Sequence, residues 1–136
     1  MFKFSSTTSF NLTSQERVSL WLLDVIDKEE KAIKEISFNF CNDKELLKVN
    51  QEFLSHNNLT DIITFDYSDS SGIIGEILIS TERVKDNALD FDQPFDVELR
   101  RVMVHGILHL CGYKDKSDDE KILMTKKEDF YLSRYV

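Results

Sequence analysis

Apolar residues recur along this chain at two spacings, and each predicts a different element. Val18, Trp21, Leu22, Val25 and Ile26 fall three and four residues apart, the period of a helix that buries one face. Thr13-Ser14-Gln15-Glu16 reads as a capping box that opens this helix. Asn42, with Glu45 three residues on, predicts a second helix bearing Leu46, Leu47, Val49 and Phe53. A short helix is expected around 81–89. Pro94 suits the first turn of another, which runs through Phe95, Leu99, Val102, Met103, Gly106 and Leu110 and stops at Gly112. Ser117-Asp118-Asp119-Glu120 is a further capping box, ahead of a last helix with Leu123, Met124, Phe130 and Tyr131.

Elsewhere the spacing is two, or the apolar run is short and continuous. Ile36, Phe38 and Phe40 alternate with polar residues, a half-buried strand. Past the polar loop Ser55-His56-Asn57-Asn58, Ile62-Ile63-Thr64-Phe65 predicts a second strand and residues 73–79 a third. Asp69-Ser70-Ser71-Gly72 between those two is turn chemistry and predicts an antiparallel hairpin. The expected order is αβαββααα. That is an α+β fold, a small mixed sheet covered by helices. No repeat, low-complexity tract or linker divides residues 1–136, so one domain is expected.

Composition narrows this picture. With 41% hydrophobic residues, 10 Phe, one Pro and four Gly among 136 residues, the chain has enough apolar surface to bury a core, which excludes a disordered segment. No run approaches the roughly 20 apolar residues of a membrane span. The opening MFKFSSTTSFNLTSQE has too short an apolar stretch for a signal peptide, so a soluble cytoplasmic protein without a membrane partner is expected. Cys41 and Cys111 read as small buried hydrophobes rather than a disulfide. The net charge of −8 argues against a nonspecific binder of nucleic acid, and DNA is not an expected partner. The charge is segregated, however: residues 1–99 carry 9 basic against 19 acidic side chains, and residues 100–136 carry 8 against 6.

The basic end also holds the chemistry. In Val104-His105-Gly106-Ile107-Leu108-His109-Leu110-Cys111-Gly112-Tyr113-Lys114-Asp115, His105 and His109 stand one helical turn apart on one face, within reach of one ion. Gly112 permits the left-handed turn that carries the chain back, so Asp115 can meet the same ion. This histidine-x3-histidine-x2-glycine-x2-ligand spacing is that of metzincin zinc sites. Zinc peptidases place a glutamate beside the first histidine as general base, and here that position is Gly106. The spacing survives without the proteolytic chemistry. Phosphodiester hydrolysis by metal-activated water is a natural use for such a site.

The same residues carry a family resemblance. HGILHLCGY closely resembles the HGxLHLxGYDH signature of the YbeY family of bacterial rRNA maturation factors, described as metal-dependent endoribonucleases specific for single strands. Asn50 and Phe53 resemble its L-N-x3-Y-R segment, Thr60-Asp61-Ile62-Ile63-Thr64-Phe65 its T-D-V-L-S-F strand, and Gly75-Glu76-Ile77 its G-D-I strand. Met124 and Glu128 match the spacing of its last helix. The resemblance implies a zincin-like α+β fold and one Zn²⁺ per chain on His105, His109 and Asp115. It also implies single-stranded RNA and the small ribosomal subunit as partners, with roles in 16S rRNA 3′-end maturation and ribosome quality control.

Three positions depart from that pattern. Asp115 stands where the family usually has histidine; aspartate is a competent zinc ligand, and its charge tilts the site towards harder ions such as Mn²⁺. Leu54 replaces an arginine that in the family looks like a phosphate or transition-state contact. Leu59 replaces a proline, read as a loop adjustment. Arg100, Arg101, Lys114 and Lys116 are read as an RNA-facing rim, and His56 as an exposed loop residue or a substitute phosphate contact. Asp61 is either a partner of the metal site or a strand-edge cap. Asp118-Asp119-Glu120 complements the helix dipole rather than forming a second metal site. The leading expectation is the endoribonuclease. The alternative is a ribosome-associated assembly factor with a structural metal and little nuclease activity. A generic hydrolase of small phosphoesters or amides is disfavoured by the closeness of the match.

Overall fold

The computed structural model describes residues 1–54 and 59–136. Its elements are β1 (Phe2–Ser6), α1 (Gln15–Lys28), β2 (Ile33–Cys41), α2 (Asp43–Leu54), β3 (Ile62–Asp66), β4 (Ile73–Ser80), α3 (Thr81–Asp90), α4 (Phe95–Leu110) and α5 (Asp118–Leu132). One sheet runs in the order β1-β2-β4-β3, with β1, β2 and β4 parallel and β3 antiparallel to β4. The fold is therefore α+β with a mixed sheet, as expected. Among the described residues, no helix is long and apolar enough to cross a membrane.

The order gains a strand over the expected αβαββααα. β1 has only Phe2 and Phe4 as apolar residues, too few to announce a strand. It exists because it pairs along β2, Phe2 opposite Ile36 and Phe4 opposite Phe38, where the Phe4 and Phe38 rings stack with centroids 5.6 Å apart. The capping box expected at α1 does not form. Ser14 adopts a left-handed φ of 58° and its side chain makes no cap hydrogen bond, so only its carbonyl starts the helix. The boxes at α2 and α5 do form: Glu45 N donates to Asn42 Oδ1 at 2.8 Å, and Glu120 N to Ser117 Oγ at 3.1 Å. Pro94 is the cap of α4, one residue ahead of its first turn.

Strand alternation gives the sheet two faces. Ile36, Phe38, Phe40, Ile77 and Ile79 enter the main core with α1, α4 and Tyr131 of α5. Cys41, Ile63 and Leu78 pack under Leu46 and Val49 of α2 in a smaller cluster on the other face. The inner face of α5 follows Met124, Glu128 and Tyr131, so the expected Leu123 and Phe130 lie outside, as does Phe53 of α2. Both thiols are free and buried, and burial first, with nearby carboxylates, pushes each up to about 11. α4 is the central helix, with Val102, Met103, Val104, Ile107 and Leu108 buried. Gly106 lets it lie against the sheet. A Cβ there would stand 2.9 Å from Ile62 Cδ1 and 3.0 Å from Ile77 Cδ1, so the ends of both isoleucine side chains would have to shift.

Candidate metal centre

α4 presents His105 and His109 side by side at its C-terminal end. The helix then closes in a Schellman turn: Gly112 N donates to His109 O and Tyr113 N to Leu108 O, both at 3.0 Å, with Gly112 at φ 108°. The reversal brings Asp115 back over the histidines. Its Oδ2 lies 3.2 Å from His105 Nε2 and 3.3 Å from His109 Nε2, and the two Nε2 atoms are 3.0 Å apart. The sequence expectation that these three side chains meet is realised in the geometry.

The outer nitrogens decide what the inner ones can do. His105 Nδ1 lies 2.7 Å from Glu128 Oε2 of α5, and His109 Nδ1 lies 2.9 Å from the Tyr113 carbonyl. Carbonyl and ionised carboxylate oxygens only accept, so each Nδ1 carries the proton and each Nε2 presents a lone pair. Two lone pairs and a carboxylate oxygen then converge, and such atoms repel unless a cation lies among them. Tetrahedral ligands bonded at 2.0–2.1 Å stand about 3.3 Å from one another, close to the separations here. The donor set therefore fits a single metal ion, and His105, His109 and Asp115 form the one such group among the described residues.

Charge around the ligands favours a cation. Burial alone would lower the pKa of His105, but the hydrogen bond and charge of Glu128, with Asp115 and Asp61 nearby, hold it above the ordinary histidine range. Glu128 is itself anchored by Arg101, whose guanidinium donates to Glu128 Oε1 at 2.9 Å and to Asp129 Oδ1 at 2.6 Å. Asp61 sits deeper. Burial raises its carboxyl, opposed by His105 and by Asn87, whose Nδ2 donates to Asp61 Oδ2 at 3.1 Å. Behind His109, Tyr113 donates from its hydroxyl to Glu29 at 2.6 Å. Glu29 also accepts from Lys127 at 3.0 Å and from Tyr131.

The centre opens into a cleft of about 670 Å³ between α4, β3 and α2, with Asn50, Leu54, Asp61, Asp66 and Lys116 among its walls. Lys116 is the one cation among the described residues that line it. Lys114 is exposed beside it. Arg100 turns away, its guanidinium 4.1 Å from the centroid of the Tyr135 ring, and Arg101 is held by its two carboxylates. His56 lies outside the described residues. Glu128 and Glu29 are the positions whose roles at the centre sequence reasoning did not assign. A glutamate on the buried face of an amphipathic helix was the available signal for Glu128; nothing local marked Glu29.

Comparison with known proteins agrees with this geometry. The family model described as endoribonuclease YbeY matches residues 3–136. The chain belongs to the YbeY family. A Flavobacterium johnsoniae protein named endoribonuclease YbeY is 51% identical over 135 residues, 99% of this chain and 97% of that one. Its Karelsulcia muelleri namesake is 46% identical across 97% of this chain and 94% of its own. The solution structure of TM1509 from Thermotoga maritima superposes with a TM-score of 0.70 at 27% identity, covering 99% of this chain and 89% of that one. The YbeY signature falls on α4 and the turn after it, where the ligands meet.

Proposed function

We propose that this YbeY-family chain is a cytoplasmic endoribonuclease that cleaves single-stranded RNA, acting in 16S rRNA 3′-end maturation and ribosome quality control. The observation that carries the reading is the convergence of His105 Nε2, His109 Nε2 and Asp115 Oδ2 with both Nδ1 atoms tied outward. These three side chains would hold one Zn²⁺, or Mn²⁺ in its place. When bound, the ion supplies Lewis acidity towards a phosphoryl oxygen and acidifies water. Glu128 and the Tyr113 carbonyl orient the imidazoles. Lys116, with Lys114 beside it, engages the phosphates of the strand. Gly106 leaves no carboxylate in the peptidase position, and Ile62 and Ile77 crowd the space beside it, which speaks against proteolysis.

One observation favours a second reading. Leu54 lines the cleft where the family pattern has arginine, which weakens the grip on a scissile phosphate and suits an assembly factor with a structural metal. Metal analysis with cleavage of a single-stranded RNA, by zinc-loaded and by chelated protein, separates the two. Zinc-dependent cleavage of the single strand and not of a duplex supports the endoribonuclease. Loss of cooperative unfolding on chelation, with no cleavage in either form, supports the assembly factor.

A further inference from the structure

Three aromatic rings flank the outer edge of the sheet just beyond the cleft. Phe53 and Phe65 meet edge to face with centroids 6.2 Å apart, and Phe65 and Tyr67 lie nearly parallel, 12° between planes and 6.4 Å between centroids. β3 is an edge strand, and Phe53 and Tyr67 are 67% and 58% exposed. Ring surface of this size facing water opposes the hydrophobic effect unless something covers it. The row lies on the α2 face of this edge strand, where Phe65 packs with the smaller cluster, and its chain neighbours reach the metal cleft around the strand's open edge. Leu54 follows Phe53, and Asp66 lies between Phe65 and Tyr67; both line the cleft that holds His105 and His109.

The electrostatics say what kind of occupant fits. Lys116 faces Asp61, Asp66 and Asp115 across the cleft walls, Arg100 and Arg101 are engaged elsewhere, and the chain carries −8. Phosphate attraction, the usual main source of RNA affinity, is thin here. Stacking of bases on aromatic faces needs no charge, and contributes roughly 5- to 150-fold in affinity per base. It also requires bases that are free of a duplex.

We infer that Phe53, Phe65 and Tyr67 form a stacking platform for the unpaired bases of an RNA strand whose backbone crosses the His105–His109–Asp115 cleft. The inference rests on the endoribonuclease reading for its substrate class and assigns where that substrate is gripped. Unpaired bases lie on the rings along β3 while the adjoining phosphodiester enters the cleft. A duplex, its bases already stacked on each other, gains nothing from the platform. Preference for single strands is then a property of this edge and not of the metal. Because the rings contact faces and not base edges, the grip tolerates sequence.

The test uses the whole chain, zinc-loaded, with a short single-stranded RNA, the same RNA carrying abasic sites near the cleaved bond, and a duplex control. Phe53→Ala/Tyr67→Ala should raise KM by tenfold or more and abolish the penalty for abasic sites, with zinc content unchanged. Both rings are solvent-exposed, so folding is preserved; Phe65 is left intact because it packs on the small core. Tyr67→Leu should fail like Tyr67→Ala, and Tyr67→Trp should restore binding, with its indole fluorescence quenched by RNA in zinc-loaded and chelated protein alike. Equal RNA affinity in wild type and the double variant overturns the platform, as does an abasic penalty undiminished in that variant. Unchanged RNA binding with lost association to a protein partner assigns the rings to that partner and overturns it too. Ring-dependent binding without cleavage by any form supports the platform and removes the nuclease reading. Wild type that neither binds nor cleaves the single strand overturns both.

Discussion

Glu128→Gln isolates the carboxylate that holds His105, the first of the candidate metal ligands. Glu128 lies on the buried face of α5 with its side chain 9% exposed, and takes His105 Nδ1 on one oxygen and Arg101 on the other. Glutamine keeps the shape and one acceptor oxygen but removes the charge. On the Arg101 side little is lost, because that guanidinium is a third exposed and retains Asp129, so the change there approaches the surface value of about 0–1 kcal/mol. On the His105 side a charge-assisted hydrogen bond, worth about 1.5–3 kcal/mol, becomes a neutral one. Outer partners of metal-binding histidines contribute roughly 10–100-fold in affinity, which is about 1.4–2.8 kcal/mol. The difference between a charged and a neutral bond, about 1–1.5 kcal/mol, meets the lower end of that range, and zinc affinity should fall by about tenfold near neutral pH.

The pH dependence gives the prediction a second edge. Glu128 holds His105 above its ordinary range against the opposing effect of burial, so in the wild type a proton competes with the metal as pH falls. The variant loses that help for the proton as well as for the metal. Its deficit should therefore shrink as the pH drops through the wild-type His105 transition. Titration against a chromophoric zinc chelator, at mildly acidic and mildly alkaline pH, reads both effects. Unchanged affinity at alkaline pH, or a deficit that grows on acidification, refutes the assignment of Glu128 as the group that orients His105.

Three further perturbations test the scaffold and the cleft. Glu29→Gln should cost about 2 kcal/mol; burial raises the Glu29 carboxyl, but the hydrogen bonds of Tyr113, Tyr131 and Lys127 outweigh it and hold it below 4.5. Its contribution is complete above that value and lost as pH falls through the lowered one, so urea unfolding across this window should be flatter in the variant than in wild type; parallel curves sink the idea. Gly106→Ala should lower thermal stability by about 1–3 kcal/mol, since its Cβ meets Ile62 and Ile77 at 2.9 and 3.0 Å, and an unshifted melt would show that the contact yields freely. Lys116→Glu should weaken RNA binding more than Lys28→Glu and flatten its salt slope by about one phosphate contact; equal effects would place the strand elsewhere.

The candidate metal centre was legible because it is local. His105, His109, Gly112 and Asp115 lie within a helix and its terminating turn, and helical pitch plus one glycine φ determine where each side chain goes. The hairpin of β3 and β4 was legible for the same reason. β1 was not, since two phenylalanines become a strand only when β2 offers them a parallel partner more than thirty residues away. Arg101 shares a helical face with His105 and reads as a free cation in one dimension. It becomes an anchor once α5 folds back and supplies Glu128 and Asp129. Arg100 is diverted by Tyr135, near the end of the chain. The C-terminal basic excess is real as a count, and α5 and the chain end consume part of it.

Asp115 and Gly106 together bear on why phosphodiester chemistry suits this helix better than peptide chemistry. At the residue after the first histidine, α4 presses on Ile62 and Ile77, and the proton acceptor of a peptidase would have to displace the ends of both side chains. A metal ion held here would act through its charge, and charge is what an anionic substrate tests. Two neutral imidazoles and one aspartate leave a divalent ion with a net charge of about +1, against +2 for three histidines. A second ionised carboxylate beside it would cancel the remainder and repel a phosphodiester. Asp61 is the nearest such threat on the cleft wall, and burial holds its carboxyl above the ordinary aspartate range. Burial thus works against the charge on Asp61, while His105 and the Asn87 amide favour it, so removing this carboxylate should strengthen the attraction for phosphate that Asp115 has already halved.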